Sequence, residues 1–170
     1  MTVWEEIVRD YSPAIWKTVY HLVGNRDDAA DCVQETFLSA LRLGNSKPVV
    51  HWGAFLQRIA TARALDCLRK RYQLSAHREP GTVDWASLPD FRPDPQRLAQ
   101  GSELVQKLLE ALVELPKQQA EAFCLRYLAE LEYREIAESL EINPNSVGAL
   151  LHRARASLRQ MLSHFVVPEE

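Results

Sequence analysis

Apolar residues return every three or four positions along most of this chain, and the rhythm fails once, in the middle. Val3, Ile7, Tyr11, Ile15, Val19 and Leu22 keep one helical face over residues 3–23. Pro13 lies inside that segment and predicts a kink, or a break into two helices. "GNRDD" supplies a turn and acids suited to a helix N-terminus. "DDAADCVQETFLSALRL" then continues as an amphipathic helix, with Ala30, Val33, Phe37, Ala40 and Leu41 turned inward, and "GNSKP" ends it. "HWGAFLQRIATARALDCLRKRY" is a third long helix whose core candidates are Trp52, Phe55, Ile59, Leu65 and Leu68.

Periodicity is lost after residue 73, in a stretch that holds four of the nine prolines. It reads as a linker, assigned to residues 75–102, whose Trp85, Leu88 and Phe91 could still dock on a neighbouring surface. Helical spacing then resumes. "SELVQKLLEALVEL" starts from a Ser102 cap and stops before Pro116, and "KQQAEAFCLRYL" follows. "EYREIAESL" turns Ile136, Ala137 and Leu140 inward. Asn143 is a good N-cap with Pro144 at the first helical position, opening a last helix with Val147, Leu150, Leu151, Ala154, Leu158 and Met161 on its apolar stripe. No strand pattern is visible. The expected fold class is all-α: two small helical domains, 1–74 and 103–166, joined by the linker, the second ending in a helix-turn-helix.

Composition narrows the function. With 46% hydrophobic residues among 170, the chain can bury a core. No apolar run approaches a membrane span, and "MTVWEEIVRDY" is too acidic for a signal peptide, so no membrane insertion and a cytoplasmic location are expected. Cys32, Cys67 and Cys124 are odd in number and far apart along the chain. They read as small buried hydrophobes rather than metal ligands or a disulfide framework, and neither a metal site nor a cofactor is expected. There is no nucleophile–base pair, metal-ligand spacing or glycine-rich phosphate loop, which argues against an enzyme.

The net charge of −3 argues against a generic nucleic-acid binder, but its distribution is uneven. Residues 51–75 carry Arg58, Arg63, Arg69, Lys70 and Arg71 against Asp66 alone. A helix C-terminus favours basic groups, but five exceed what a cap requires, and phosphate contact is the better reading. Residues 103–143 hold four basic residues and nine acids, which would oppose DNA unless they face away. In the last helix the end that would read DNA offers Asn145, Ser146, Gly148 and Ala149, with His152 and Arg153 beyond.

Two stretches carry a resemblance. "DDAADCVQETFLSAL" with "WGAFLQRIATARALDCLRKR" resembles the second region of bacterial RNA polymerase sigma factors of the extracytoplasmic-function group. "LPKQQAEAFCLRYLAELEYREIAESLEINPNSVGALLHRARASL" resembles their fourth region. The most specific signals are Asp31, Gln34, Glu35 and Phe37 together, and Asp66, Leu68 and Arg69 together. The resemblance implies a protein that binds core RNA polymerase at its clamp and flap, directs it to promoter DNA, and is held by an anti-sigma partner. It assigns polymerase binding to Asp28, Asp31, Gln34, Glu35 and Leu38. It assigns the minus-ten region to Arg58, Arg63, Arg69, Lys70 and Arg71, and the minus-thirty-five element to Asn145, Ser146, Ala149, His152 and Arg153. Three positions depart from the family's usual residues. Ala62 stands where Asn is common, Gly148 where a basic residue is usual, and Leu150 where Arg is usual. A second reading follows from these departures: a degenerate sigma-like module that occupies polymerase or an anti-sigma factor without reading promoters.

Overall fold

At the start of the chain Thr2 forms a reciprocal cap. Its hydroxyl accepts from the Glu5 backbone N–H at 3.2 Å while the Glu5 carboxylate accepts from the Thr2 N–H at 2.8 Å. Helix α1 then runs over Val3–Val23 in a computed structural model that describes residues 2–76 and 102–163. The expected break at Pro13 does not occur, and α1 is a single helix through it. The proline removes one ladder hydrogen bond. Buried Ile7 on one side of it and Ile15, Val19 and Leu22 on the other hold both halves against the same core. Gly24 ends α1 at φ 78°, a left-handed conformation that side chains disfavour, and its N–H closes on the Tyr20 carbonyl at 2.9 Å.

Asn25 caps α2, Arg26–Gly44, by accepting from the Asp28 N–H at 2.9 Å, with Asp27 and Asp28 in the first turn as the helix dipole favours. Helix α3 covers Trp52–Ala76, so the helix continues past residue 74. The three helices enclose one core, built from Val19 and Leu22 of α1, Ala29, Phe37 and Ala40 of α2, and Leu56, Leu65 and Leu68 of α3. Alanines at 29, 40, 54, 60 and 64 are buried, and such small residues let helices pack closely.

Several inward assignments are corrected. Val3 is 73% exposed at the first position of α1, where no neighbouring helix covers it. On α2 the buried stripe is rotated from the expected one. Ala29, Cys32 and Thr36 face the core, Ala30 and Leu41 face solvent, and Val33 is half-buried. Small residues on both sides left the stripe's centre ambiguous in the sequence. On α3, Trp52, Phe55 and Ile59 are half-buried, because the deepest positions go to Leu56, Ala60 and Ala64.

A second unit is formed by α4 (Ser102–Glu114), α5 (Lys117–Tyr127), α6 (Tyr133–Leu140) and α7 (Pro144–Met161). Leu109 and Leu112 of α4, Ala120 and Leu125 of α5, Ile136 and Leu140 of α6, and Val147, Leu151 and Leu158 of α7 make its core. Leu150 is half-buried and Met161 exposed, so the stripe of α7 is narrower than expected. The described residues are helical and hold no strand. Trp85, Leu88 and Phe91 lie outside them, as do residues 164–166 of the expected second domain.

Because Pro13 is exposed and only interrupts an otherwise continuous ladder, Pro13→Ala should stabilise the protein by about 1–2 kcal/mol. Urea unfolding followed by circular dichroism measures this, and a loss of stability would show that the proline serves the packing of α1.

Candidate nucleic-acid and polymerase interface

The outer side of α2 follows from its inner side. With Ala29, Cys32, Thr36 and Ala40 buried, Asp31, Gln34, Glu35 and Leu38 are displayed together on the opposite face. Leu38 is 39% exposed and Leu41, three residues on, is 38% exposed, so two leucines extend the polar patch. Leu41 was missed as a surface residue. The signal was its i, i+3 spacing from Leu38, on the same face as Gln34. Asp28 is placed differently from these four. It accepts from the guanidinium of Arg71 at 2.6 Å and from the Asn25 side chain at 2.9 Å, which turns it toward α3.

The basic stretch separates into groups with different surroundings. Arg71 is held by Asp28 and by the Val23 carbonyl at 2.8 Å. Arg69 pairs with Asp66 at 3.2 Å, one turn back on the same helix. Arg63 is exposed and donates to the Ser39 hydroxyl at 3.0 Å, a neutral acceptor that leaves its charge uncompensated. Lys70 is exposed and Arg58 half-buried. The net cationic surface of α3 is therefore Arg58, Arg63 and Lys70. Trp52 and Phe55 belong to an edge-to-face aromatic chain. Trp52 meets Trp4 at 5.9 Å and Phe55 at 5.8 Å between ring centroids, and Trp4 meets Phe37 at 6.2 Å. These rings tie α1, α2 and α3 together.

In the second unit α6, a turn and α7 build the helix-turn-helix. Glu141 closes α6 at φ 57°, an unusual conformation for a residue other than glycine. The Ile142 N–H bonds back to the Ala137 carbonyl at 2.9 Å. Asn143 caps α7 by accepting from the Asn145 N–H at 2.9 Å, with Pro144 in the first turn. Val147, Leu151, Ala154 and Leu158 anchor α7 in the core. That leaves Asn145, Ser146, Ala149, His152 and Arg153 exposed together along the opposite side. A Cβ added at Gly148 would meet only the Tyr133 ring, at 3.9 Å.

Beside this face sits a cluster that the sequence did not reveal. Arg155 donates to the Tyr127 hydroxyl at 2.7 Å, Arg126 lies 5.3 Å from the centre of the Tyr133 ring, and Phe123 packs on Tyr127 at 4.7 Å. Only the Phe123–Tyr127 spacing of four could have signalled it. The arginine partners come from other positions and required the fold. Arg155 is thereby turned toward α5.

A three-helix unit with an acidic–leucine face and a basic third helix, followed by a helix-turn-helix unit, defines an all-helical protein of two units. The particular family follows from comparison. Residues 7–73 match the family model "Sigma-70 region 2", and residues 105–158 match "Sigma-70, region 4". The ECF RNA polymerase sigma factor SigE of Mycolicibacterium smegmatis is 33% identical over 164 residues, covering 96% of this chain and 63% of that protein. The ECF RNA polymerase sigma factor SigW of Bacillus subtilis is 30% identical over 164 residues, covering 92% of this chain and 87% of that protein. Among solved structures, CnrH in complex with the cytosolic domain of CnrY has a TM-score of 0.59 at 19% identity, over 95% of this chain and 88% of that one. RpoE from Bartonella quintana with the anti-sigma factor NepR has a TM-score of 0.55 at 20% identity, over 94% and 96%. The chain belongs to the sigma-70 family, in its extracytoplasmic-function group.

The caps and glycine of α7 give a stability test. Gly148→Ala should stabilise the protein by about 1 kcal/mol, since helix propensity rises and the added methyl is accommodated. Asn143→Ala should cost about 1 kcal/mol through the lost cap. Both are read from thermal unfolding. Destabilisation by Gly148→Ala would mean that Tyr133 cannot tolerate the methyl group.

Proposed function

We propose that this sigma factor binds core RNA polymerase through the outer face of α2 and directs it to promoters through α3 and α7. Asp31, Gln34, Glu35 and Leu38 form the docking face for the polymerase clamp. Asp28 braces that face from behind through Arg71. The observation that carries the reading is the exposed patch of Asp31, Gln34, Glu35 and Leu38 on α2 in a chain that also matches both sigma regions. Arg58, Arg63 and Lys70 hold the DNA backbone near the minus-ten element, with Arg69 and Arg71 fixing the end of the helix that presents them. The second unit binds the polymerase flap and the minus-thirty-five element. Asn145 and Ser146 at the N-terminus of α7, with His152 and Arg153, supply contacts to bases and phosphates.

This division of labour makes upstream binding weak. Arg155 is committed to Tyr127, and Gly148 offers no side chain. Most affinity then comes from the first unit and from polymerase. The same shortage favours a second reading, in which the protein occupies polymerase without selecting promoters. No helix among the described residues is long and apolar enough to cross a membrane, and the proposed place of action is the cytoplasm. The protein has no catalysis of its own in this reading. An anti-sigma partner is proposed because the RpoE relative is seen with the anti-sigma factor NepR.

The docking claim predicts that Gln34→Ala combined with Glu35→Lys abolishes retention on core polymerase while the circular dichroism spectrum is unchanged, since both side chains are exposed. Undiminished pull-down of core polymerase would remove the α2 face from the interface. Run-off transcription from a random-promoter library, with the products sequenced, separates the two readings. Enriched paired elements support promoter selection, and core binding without a selected transcript supports the occupying module.

A further inference from the structure

Helices α2 and α3 are antiparallel, and two contacts between them set their register. Arg71 bonds Asp28 at one end, and Arg63 bonds Ser39 further along. Moving one turn from the Asp28–Arg71 pair toward the second contact leads to Cys32 on α2 and Cys67 on α3, four residues on in one helix and four back in the other. The register thus sets two thiols opposite each other across the helix pair. Cys32 is buried and Cys67 half-buried, and both are free thiols. Neither belongs to the docking face or to the cationic surface.

The two sulfurs are chemically unequal. The thiol of Cys67 is lowered to about 7, chiefly by the neighbouring Cys32 thiol and further by Arg71 and Lys70, against burial and the Asp28 charge. Cys32 is pushed up, first by its Cys67 neighbour, then by burial, Asp28 and Asp31. One cysteine is thus suited to attack as a thiolate and the other to wait protonated beside it.

We propose that Cys32 and Cys67 form a dithiol site that is oxidised by hydrogen peroxide to a reversible disulfide linking α2 to α3. The Cys67 thiolate attacks one peroxide oxygen and the O–O bond breaks. The departing hydroxide takes a proton to become water, leaving a sulfenic acid on Cys67. The Cys32 sulfur then attacks the Cys67 sulfur and displaces hydroxide, which leaves as a second water with the Cys32 proton. Two thiols lose two electrons, and one peroxide is reduced to two waters. The bond ties the helix that carries Asp31, Gln34 and Glu35 to the helix that carries the basic stretch. Cys124, buried on α5 in the other unit, is an internal control.

The test uses the full chain, reduced, desalted and exposed to a small excess of hydrogen peroxide, then alkylated under denaturing conditions and mapped by mass spectrometry. The expected result is that Cys32 and Cys67 escape alkylation and their peptides appear as one cross-linked species, while Cys124 is alkylated. Dithiothreitol should restore all three. Neither Cys32→Ala nor Cys67→Ala should form the cross-link, since each removes one of its two sulfurs. The idea is overturned if all three cysteines remain alkylatable in the wild-type chain. It is also overturned if the link involves Cys124, or if Cys67 oxidises without ever joining Cys32. The wild-type map decides the matter even if a variant folds poorly.

Discussion

The guanidinium of Arg71 reaches from the last part of α3 to Asp28 at the start of α2 and to the carbonyl of Val23 at the end of α1. One side chain thereby touches all three helices of the first unit. Its side chain is only 16% exposed, and that of Asp28 is 30% exposed, so the pair works in surroundings where a lost partner would leave a charge poorly solvated. Hydrophobic burial and the ring contacts of Trp4, Phe37 and Trp52 bring the three helices together. The ion pair and the carbonyl contact select one register. Together with the Arg63–Ser39 contact, that register brings Cys32 opposite Cys67.

The second unit reaches a comparable result by other means. Its turn is fixed by backbone hydrogen bonds, by the left-handed Glu141 and by the Asn143 cap. Helix α7 is then held by a narrow stripe of Val147, Leu151, Ala154 and Leu158. A narrow stripe leaves much of the helix surface free, which a DNA reader requires. Here that surface is used sparingly. Gly148 is unfilled, and Arg155 serves the tyrosine beside it.

Helix existence, order and the Asn143 cap were legible because they depend on local chemistry: periodicity, a capping asparagine and a proline at the first helical position. The outward position of Asp31, Gln34 and Glu35 was legible for the same reason, since spacing along one helix decides it. What failed depended on neighbours. Pro13 sits in a helix because tertiary burial outweighs one lost hydrogen bond. Leu41 points outward because the stripe of α2 is centred on Cys32 and Thr36 rather than on Val33. The partners of Arg71, Arg69 and Arg155 could not be read, because a count of basic residues says nothing about which acids or hydroxyls they will meet. Cys32 and Cys67 looked unrelated for the same reason, being distant along the chain and brought together only by the register of α2 on α3.

That distinction changes how the basic stretch is understood. Five cations within 25 residues suggest an electrostatic grip of five charges, yet two are neutralised inside the protein, Arg71 by Asp28 and Arg69 by Asp66. Counterion release scales with the phosphates actually neutralised, at a slope of roughly 0.9 per contact for duplex DNA. Arg58, Arg63 and Lys70 would therefore give a salt dependence nearer three contacts than five from this helix. An acidic chain with three available cations there, and a sparsely equipped recognition helix, has little means of holding DNA alone. In the proposed function its specificity is expressed in the complex with core RNA polymerase. A face of exposed acids and leucines on α2 is the kind of surface through which such a partner would be engaged.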